Sequence, residues 1–352
     1  MNAPIEAAGT RLAGTRITLA HGAGGKAMRE LIERVLVGGL GDAELQRMED
    51  QARLDLAAIT AHGDRLALTT DSFVVDPLVF PGGDIGKLAV AGTVNDLAVG
   101  GARPLYLTCG LILEEGLELA VLEQVVASLR ATAEAAGVRI VTGDTKVVAH
   151  GQADKLFINT AGVGVIPAGL QLGADRCRPG DKILVNGPIG DHGAAIADAR
   201  GDLGTETDIC SDCRPLNHLI AAMLEAGPGI RAMRDATRGG IATVLNEFAA
   251  ASGVCVRLHE AHLPLRDNVR GLCELLGLDP LYLANEGTLV AVVPADEADR
   301  VLAAMRGHPD GHEAAIVGEI AQAPAERVVL ETRFGGDRIV DLLVGDQLPR
   351  IC

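Results

Sequence analysis

Apolar runs rich in Val, Ile and Leu alternate along the first half of the chain with stretches whose apolar residues recur at helical spacing. The runs predict strands over Arg65–Thr70, Pro104–Leu113, Val138–Val148 and Lys155–Val165. Ile85–Val99 and Leu117–Ala136 read as helices between them, the second stopped by Gly137, a natural C′ residue. A break over Pro167–Gly180 follows, and then the same grammar restarts. Strands are expected at Lys182–Asn186, Val254–Leu258, Leu289–Val293, Ala314–Ile320 and Arg327–Leu330, with helices at Gly193–Ala199, Leu216–Glu225 and Gly239–Ala251. The pattern predicts an α/β (α+β) protein of two mixed α/β domains, residues 1–168 and 169–340, followed by a flexible tail over 341–352.

Composition agrees with two cores. The chain has 352 residues, 48% hydrophobic and 22% charged, enough for two domains. Its net charge of −16 opposes long-range attraction to nucleic acid or anionic membrane. Two Tyr, five Phe and no Trp leave no aromatic platform for stacking bases. Met1–Thr10 lacks a basic segment leading into an apolar one, and no apolar run is long enough to span a bilayer, so a cytosolic protein is expected. Seven scattered cysteines, an odd number, fit a reducing compartment.

Much of the excess of 44 glycines sits beside Asp, Asn and Lys, which suggests phosphate chemistry. In His21-Gly22-Ala23-Gly24-Gly25-Lys26, the glycines Gly22, Gly24 and Gly25 would let backbone N–H groups approach an anion, with Lys26 and the start of a helix over Ala27–Val35 adding positive charge. An ordinary flexible loop explains the segment equally, since it has neither Walker A spacing nor the dinucleotide fingerprint. Thr70-Asp71-Ser72-Phe73, Val94-Asn95-Asp96-Leu97 and Thr142-Gly143-Asp144-Thr145-Lys146 place three carboxylates at expected element ends, the hard oxygen ligands magnesium takes. Each aspartate alone reads as a turn or cap residue. Asp235-Ala236-Thr237-Arg238-Gly239-Gly240 precedes a helix and Asn285-Glu286-Gly287 precedes a strand; an anion site and a carboxylate at a sharp turn, or two structural turns, both fit. Cys210-Ser211-Asp212-Cys213 has zinc-like spacing but no second Cys-x-x-Cys, and surface or interface thiols explain it better than metal ligands, with a redox pair as a lesser option. Cys352 closes the chain behind an arm of about eight residues, ~25 Å when extended.

Together these motifs, with Gly86-Lys87-Leu88-Ala89, Gly143-Asp144-Thr145-Lys146-Val147-Val148 and the terminal Pro349-Arg350-Ile351-Cys352, resemble the hydrogenase maturation HypE family, carbamoyl dehydratases of the aminoimidazole ribonucleotide synthetase-like superfamily. The aspartate motifs alone indicate the superfamily, which includes selenophosphate synthetase and thiamine monophosphate kinase; the cysteine tail singles out the family. The resemblance implies a homodimer with ATP and Mg2+ in the N-terminal half. It also implies a HypF-like carbamoyltransferase that loads Cys352, ATP-driven conversion of the thiocarboxamide to a thiocyanate, and delivery of cyanide to iron on a HypC-HypD-like scaffold complex. On this basis Asp71, Asp96 and Asp144 are expected to hold magnesium, with Asn95, Thr145, Asp235 and Arg238 joining them and the glycine loop around the nucleotide. Cys352, Lys146 and Glu286 are expected at the reacting end, Lys146 stabilising charge on oxygen and Glu286 taking a proton from nitrogen. Two rivals use the same residues differently: a small-molecule kinase or ligase of the superfamily, which leaves Cys352 idle, and a non-catalytic carrier or metallochaperone built on Cys352, Cys210 and Cys213.

Overall fold

The computed structural model describes residues 15–201, 208–345 and 348–352, so Met1–Thr10 and two residues of the arm, Asp346 and Gln347, lie outside the described residues. The N-terminal part opens with α1 (Lys26–Leu31), a π-helical turn (Ile32–Val37), α2 (Gly38–Leu40) and α3 (Leu56–Thr60). It continues through β1 (Arg65–Phe73), a two-rung ladder of β2 (Val79–Phe80) and β3 (Gly83–Asp84), α4 (Ile85–Val99), β4 (Arg103–Glu114), α5 (Leu119–Ala136), β5 (Arg139–Val148) and β6 (Leu156–Ile166). The sheet runs β1-β6-β4-β5, antiparallel except for the β4–β5 pair.

Helix α4 is capped by Asp84, whose Oδ1 accepts from Gly86 N at 2.9 Å and Lys87 N at 3.0 Å. Apart from Lys87 and Asp96 all of its residues are buried, because sheet, α5 and the second half of the chain surround it. Gly86 has no room for a side chain, since a Cβ there would lie 2.4 Å from Val125 O of α5. Helix α5 ends, as its sequence predicts, on Gly137 in the left-handed region at φ 69°.

The second part is β7 (Lys182–Val185), α6 (Asp191–Ala199), α7 (Asn217–Ala226), β8 (Ala232–Asp235), α8 (Gly240–Ser252), β9 (Cys255–His259), α9 (Asp267–Leu276), β10 (Leu289–Val293), α10 (Ala295–Arg306), β11 (Ala315–Ala321), β12 (Arg327–Glu331) and β13 (Asp337–Val340). Its seven strands run β13-β12-β9-β11-β7-β10-β8. Alternate residues of the central strands feed two cores. Ile183, Val185, Val290 and Val292 meet Leu245 and Phe248 of α8 on one face. Leu184, Leu289, Ala291 and Val293 meet Leu219 and Met223 of α7 and Val301 and Met305 of α10 on the other. Helices on both faces are why these strands read as unbroken apolar runs rather than alternating ones.

Candidate active site

The inner, helix-covered face of β1 carries Thr69 and Asp71. Thr69 Oγ1 donates to Asp96 Oδ2 at 2.8 Å, and Asp71 Oδ1 accepts from its neighbour Ser72 N at 2.7 Å. The second half brings Asp235 at the end of β8 and Arg238 in the turn before α8. That turn needs glycine: Gly239 and Gly240 have φ 76° and 58°, and a Cβ on Gly240 would lie 2.4 Å from Leu281 O. Glu286 arrives on a loop gripped by Asp212, whose carboxylate accepts from Glu286 N and Gly287 N, both at 2.9 Å, and from Thr288 Oγ1 at 3.0 Å. Gly287 is obligatory there, since a Cβ would sit 1.9 Å from Asp212 O.

The end of the chain lies in this site. Val74 N donates to Cys352 O at 3.1 Å and Asp76 N to Arg350 O at 3.3 Å, so the last residues run beside residues 74–76. Arg200 ties the two segments, donating to Asp76 O at 2.8 Å and Arg350 O at 2.7 Å. Arg350 pairs with Asp154. Ile351, 6% exposed, enters the N-terminal core beside Ile196. The Cys352 thiol lies within electrostatic reach of Arg238, Glu286 and Asp71.

Electrostatics mark these groups as strained against their solution chemistry. Burial raises the pKa of Asp71, with Arg238 pulling it back, and burial raises that of Asp96, which the Asp71 charge raises further. Burial and then the Asp96 charge push Asp235 up to about 7. Glu286, 3% exposed, is driven well above the usual carboxylate range by burial and then by Asp212, Asp235, Asp71 and Asp96; its Oε1 has no hydrogen-bond partner. The Cys352 thiol is pushed up to about 12 by burial and then by the Glu286 charge. Arg238 in turn is raised chiefly by Cys352. Hard oxygen donors that repel one another, with one buried oxygen unpaired, suit a divalent cation, which binds through one or two carboxylates and completes its shell with phosphate oxygens and water.

The other expected residues form a second group elsewhere. Asp144 pairs in register with Gly110, Gly110 with Asn159, and Asn159 with Ser72. Asp144 is therefore about 14 Å from β1, three strand spacings of ~4.8 Å, and shares the face of Ser72 rather than that of Asp71. Among the described residues no three His, Cys, Asp or Glu side chains are grouped to hold a metal, so Asp71, Asp96 and Asp144 do not assemble within one chain. Lys146 lies with Asp144, its Nζ 2.6 Å from Asp144 Oδ2, and this bond holds the Asp144 carboxyl below its ordinary value. Thr145 N donates to Asp144 Oδ1 at 2.8 Å. The glycine loop leans on the same strand: a Cβ on Gly22 would lie 2.8 Å from Val147 Cβ. Gly24, at φ 75°, and Gly25 have open space around them, and Lys26 is exposed, 3.7 Å from Glu30. The helix expected over Ala27–Val35 is α1 followed by the π-helical turn.

Asn95 is committed elsewhere. It is buried, donates to Arg214 O at 3.1 Å and accepts from Leu216 N at 2.7 Å, which stitches α4 to the second half. Cys210 is exposed, whereas Cys213 is buried in the N-terminal core with its thiol held well above its ordinary value by burial and then by Glu286. Arg200 and Asp154 carry no motif, and no sequence signal announces them; Asp212 sits inside Cys210-Ser211-Asp212-Cys213, where the spacing of the cysteines gives no hint of the aspartate's role.

The AIR synthase related protein N-terminal domain model matches residues 49–166, and its C-terminal domain model matches residues 178–331. Carbamoyl dehydratase HypE of Rhodobacter capsulatus is 60% identical over 337 residues, covering 96% of this chain and 98% of the relative. The solved structure of hydrogenase maturation protein HypE in complex with ATP superposes with a TM-score of 0.89 at 48% identity, covering 95% of this chain and 99% of that one. A HypE–HypF complex matches at TM-score 0.77 and 45% identity, covering 89% and 99%. The chain thus belongs to the HypE carbamoyl dehydratase family, built on the two AIR synthase related domains.

Proposed function

We propose that this protein dehydrates a carbamoyl group carried on Cys352, using ATP, and so supplies cyanide for the iron of nickel-iron hydrogenases. The observation that carries the reading is the docked tail, held by Val74 N, Asp76 N and Arg200, with the Cys352 thiol in electrostatic reach of Arg238, Glu286 and Asp71. An amide oxygen is a poor leaving group. When it takes the terminal phosphoryl group of ATP, ADP departs; loss of both N–H protons and of phosphate then leaves the sulfur-bound carbon triply bonded to nitrogen. Arg238, beside the sulfur, stabilises negative charge on the reacting oxygen. Glu286 takes a proton from nitrogen, and its displaced pKa makes it a strong base once ionised. Asp71 and Asp96 hold magnesium, which supplies charge neutralisation at the phosphates.

The docked thiol, with its pKa up at about 12, is a poor nucleophile, so Cys352 accepts its carbamoyl group undocked, on a HypF-like carbamoyltransferase, and returns loaded. Cyanide then passes to iron on a HypC-HypD-like scaffold. The tail over 341–352 is the moving part, and residues 1–168 and 169–340 are the two domains it moves against. A homodimer joins the two groups of site residues: the outer face of the N-terminal sheet leaves Leu66, Leu68 and Ile112 exposed, Leu68 by 75%, on the side where Asp144 and Lys146 lie. The protein acts in the cytoplasm, among the described residues no helix being long and apolar enough to cross a membrane.

The test is ATP consumption by the dimer supplied with the carbamoyltransferase and carbamoyl phosphate, with and without Cys352→Ala. Loss of the carbamoyl-dependent part in the variant supports the dehydratase; full retention assigns a small-molecule kinase or ligase.

A further inference from the structure

Helix α6 faces the docked tail with a residue to which no role has yet been given. His192, in its first turn, is 0% exposed, and both ring nitrogens are engaged. Nε2 lies 2.6 Å from Ile351 O, which only accepts, so Nε2 carries the hydrogen. In the neutral ring Nδ1 is then the acceptor for Ser211 Oγ at 2.8 Å. Ser211 is itself pinned, its Oγ accepting from Cys213 N at 3.1 Å and its N donating to Pro81 O at 2.8 Å. Burial lowers the His192 pKa, with the Ile351 hydrogen bond and then Asp212 opposing and Arg200 adding to the effect. Phe80 packs edge-on against the imidazole, with centroids 5.5 Å apart.

Building on the dehydratase reading, we propose that His192 is a positioning residue that latches the tail through the Ile351 carbonyl, and that the Cys210–Cys213 segment aims it. One residue of that segment, Ser211, orients the imidazole; the next, Asp212, holds the backbone of Glu286 and Gly287. One short segment thereby fixes both the tail that carries the reacting group and the carboxyl that deprotonates it. This gives the two residues between Cys210 and Cys213 a role that requires neither metal nor redox chemistry. Arg200, at the other end of α6, adds a second grip on Arg350 O. Both nitrogens being committed, His192 acts through the tail and not on the carbamoyl group.

The test is site-resolved mass spectrometry of iodoacetamide labelling on the full-length protein, with exposed Cys210 as internal reference, comparing His192→Leu, His192→Gln and Ser211→Ala. Leu cannot donate, whereas Gln keeps a donor near the Nε2 position. Cys352 should label about fivefold faster in His192→Leu, as loss of one hydrogen bond of ordinary net strength predicts, and near the wild-type rate in His192→Gln. The first-order rate of water loss from preloaded protein should fall in His192→Leu and recover in His192→Gln, with KM for ATP unchanged in both. A wild-type labelling rate in folded His192→Leu overturns the latch. If that variant does not fold, Ser211→Ala decides: faster Cys352 labelling supports the latch and an unchanged rate overturns it. Labelling needs no carbamoyl chemistry, so a chain that labels as expected but never dehydrates keeps the latch and refutes the dehydratase reading.

Discussion

Asp235 offers the sharpest physical test of the carboxylate cluster. A carboxyl whose pKa is higher in the folded chain than in the unfolded one binds its proton more tightly when folded. That contribution favours folding fully below the unfolded value of 3.8 and is lost as pH rises to about 7. The displacement is about three pKa units, so at ~1.4 kcal/mol per unit the ionised aspartate costs the folded protein ~4 kcal/mol at pH 8. Asp235→Asn removes the charge and keeps the shape. With an unfolding entropy of ~2.1 cal/mol/K per residue, or ~0.7 kcal/mol/K for 352 residues, the variant should melt about 5 °C higher at pH 8. The gain should shrink to about 2 °C at pH 5, where wild-type Asp235 is mostly protonated in the folded protein. Scanning calorimetry without magnesium at the two pH values reads both figures. A variant no more stable than wild type at pH 8, or one whose gain ignores pH, refutes the view that Asp96, Asp71 and burial together destabilise the Asp235 charge.

Two further outcomes follow from the same geometry. Adding one glycine after Cys352 extends the chain past the residue whose main-chain oxygen accepts from Val74 N, and should abolish turnover while leaving ATP affinity by calorimetry within twofold; normal turnover would exclude a tightly sized docking slot. Magnesium with ATP should raise the melting temperature of the wild type and raise it less in Asp71→Asn and Asp96→Asn, since a cation that neutralises mutually repelling carboxylates stabilises the folded state by mass action; equal shifts in all three would remove these aspartates from the cation site.

Strong apolar periodicity made the layout legible. The strands that became β4, β5 and β6, and the stop of α5 at Gly137, were readable because period and glycine agree. Elements with weak or charged patterns were not. Strand β8 is four residues, Ala-Met-Arg-Asp, and β13 begins Asp-Arg. Helix α9 contains Gly271 and buries only Val269, Leu272 and Cys273, while α10 begins after Pro294 with a charged first turn. At the site, the aspartate and glycine motifs stood out only as a set, since each alone also reads as an ordinary turn or cap. The separation of Asp144 and Lys146 from Asp71 was hidden, because it depends on strand order and on which face each side chain takes. So was the docking of the tail, which rests on His192 and Arg200, polar residues about 150 positions away with no motif around them.

The central claim is that the C-terminal thiol of this chain is where an amide becomes a nitrile. Intact-mass spectrometry of the full-length protein, incubated with its carbamoyltransferase and carbamoyl phosphate before and after magnesium and ATP, tests it most directly. A carbamoyl-sized gain on Cys352 that loses one water only after ATP, and never appears in Cys352→Ala, is the predicted result. ATP consumed with no mass change on Cys352 would contradict it.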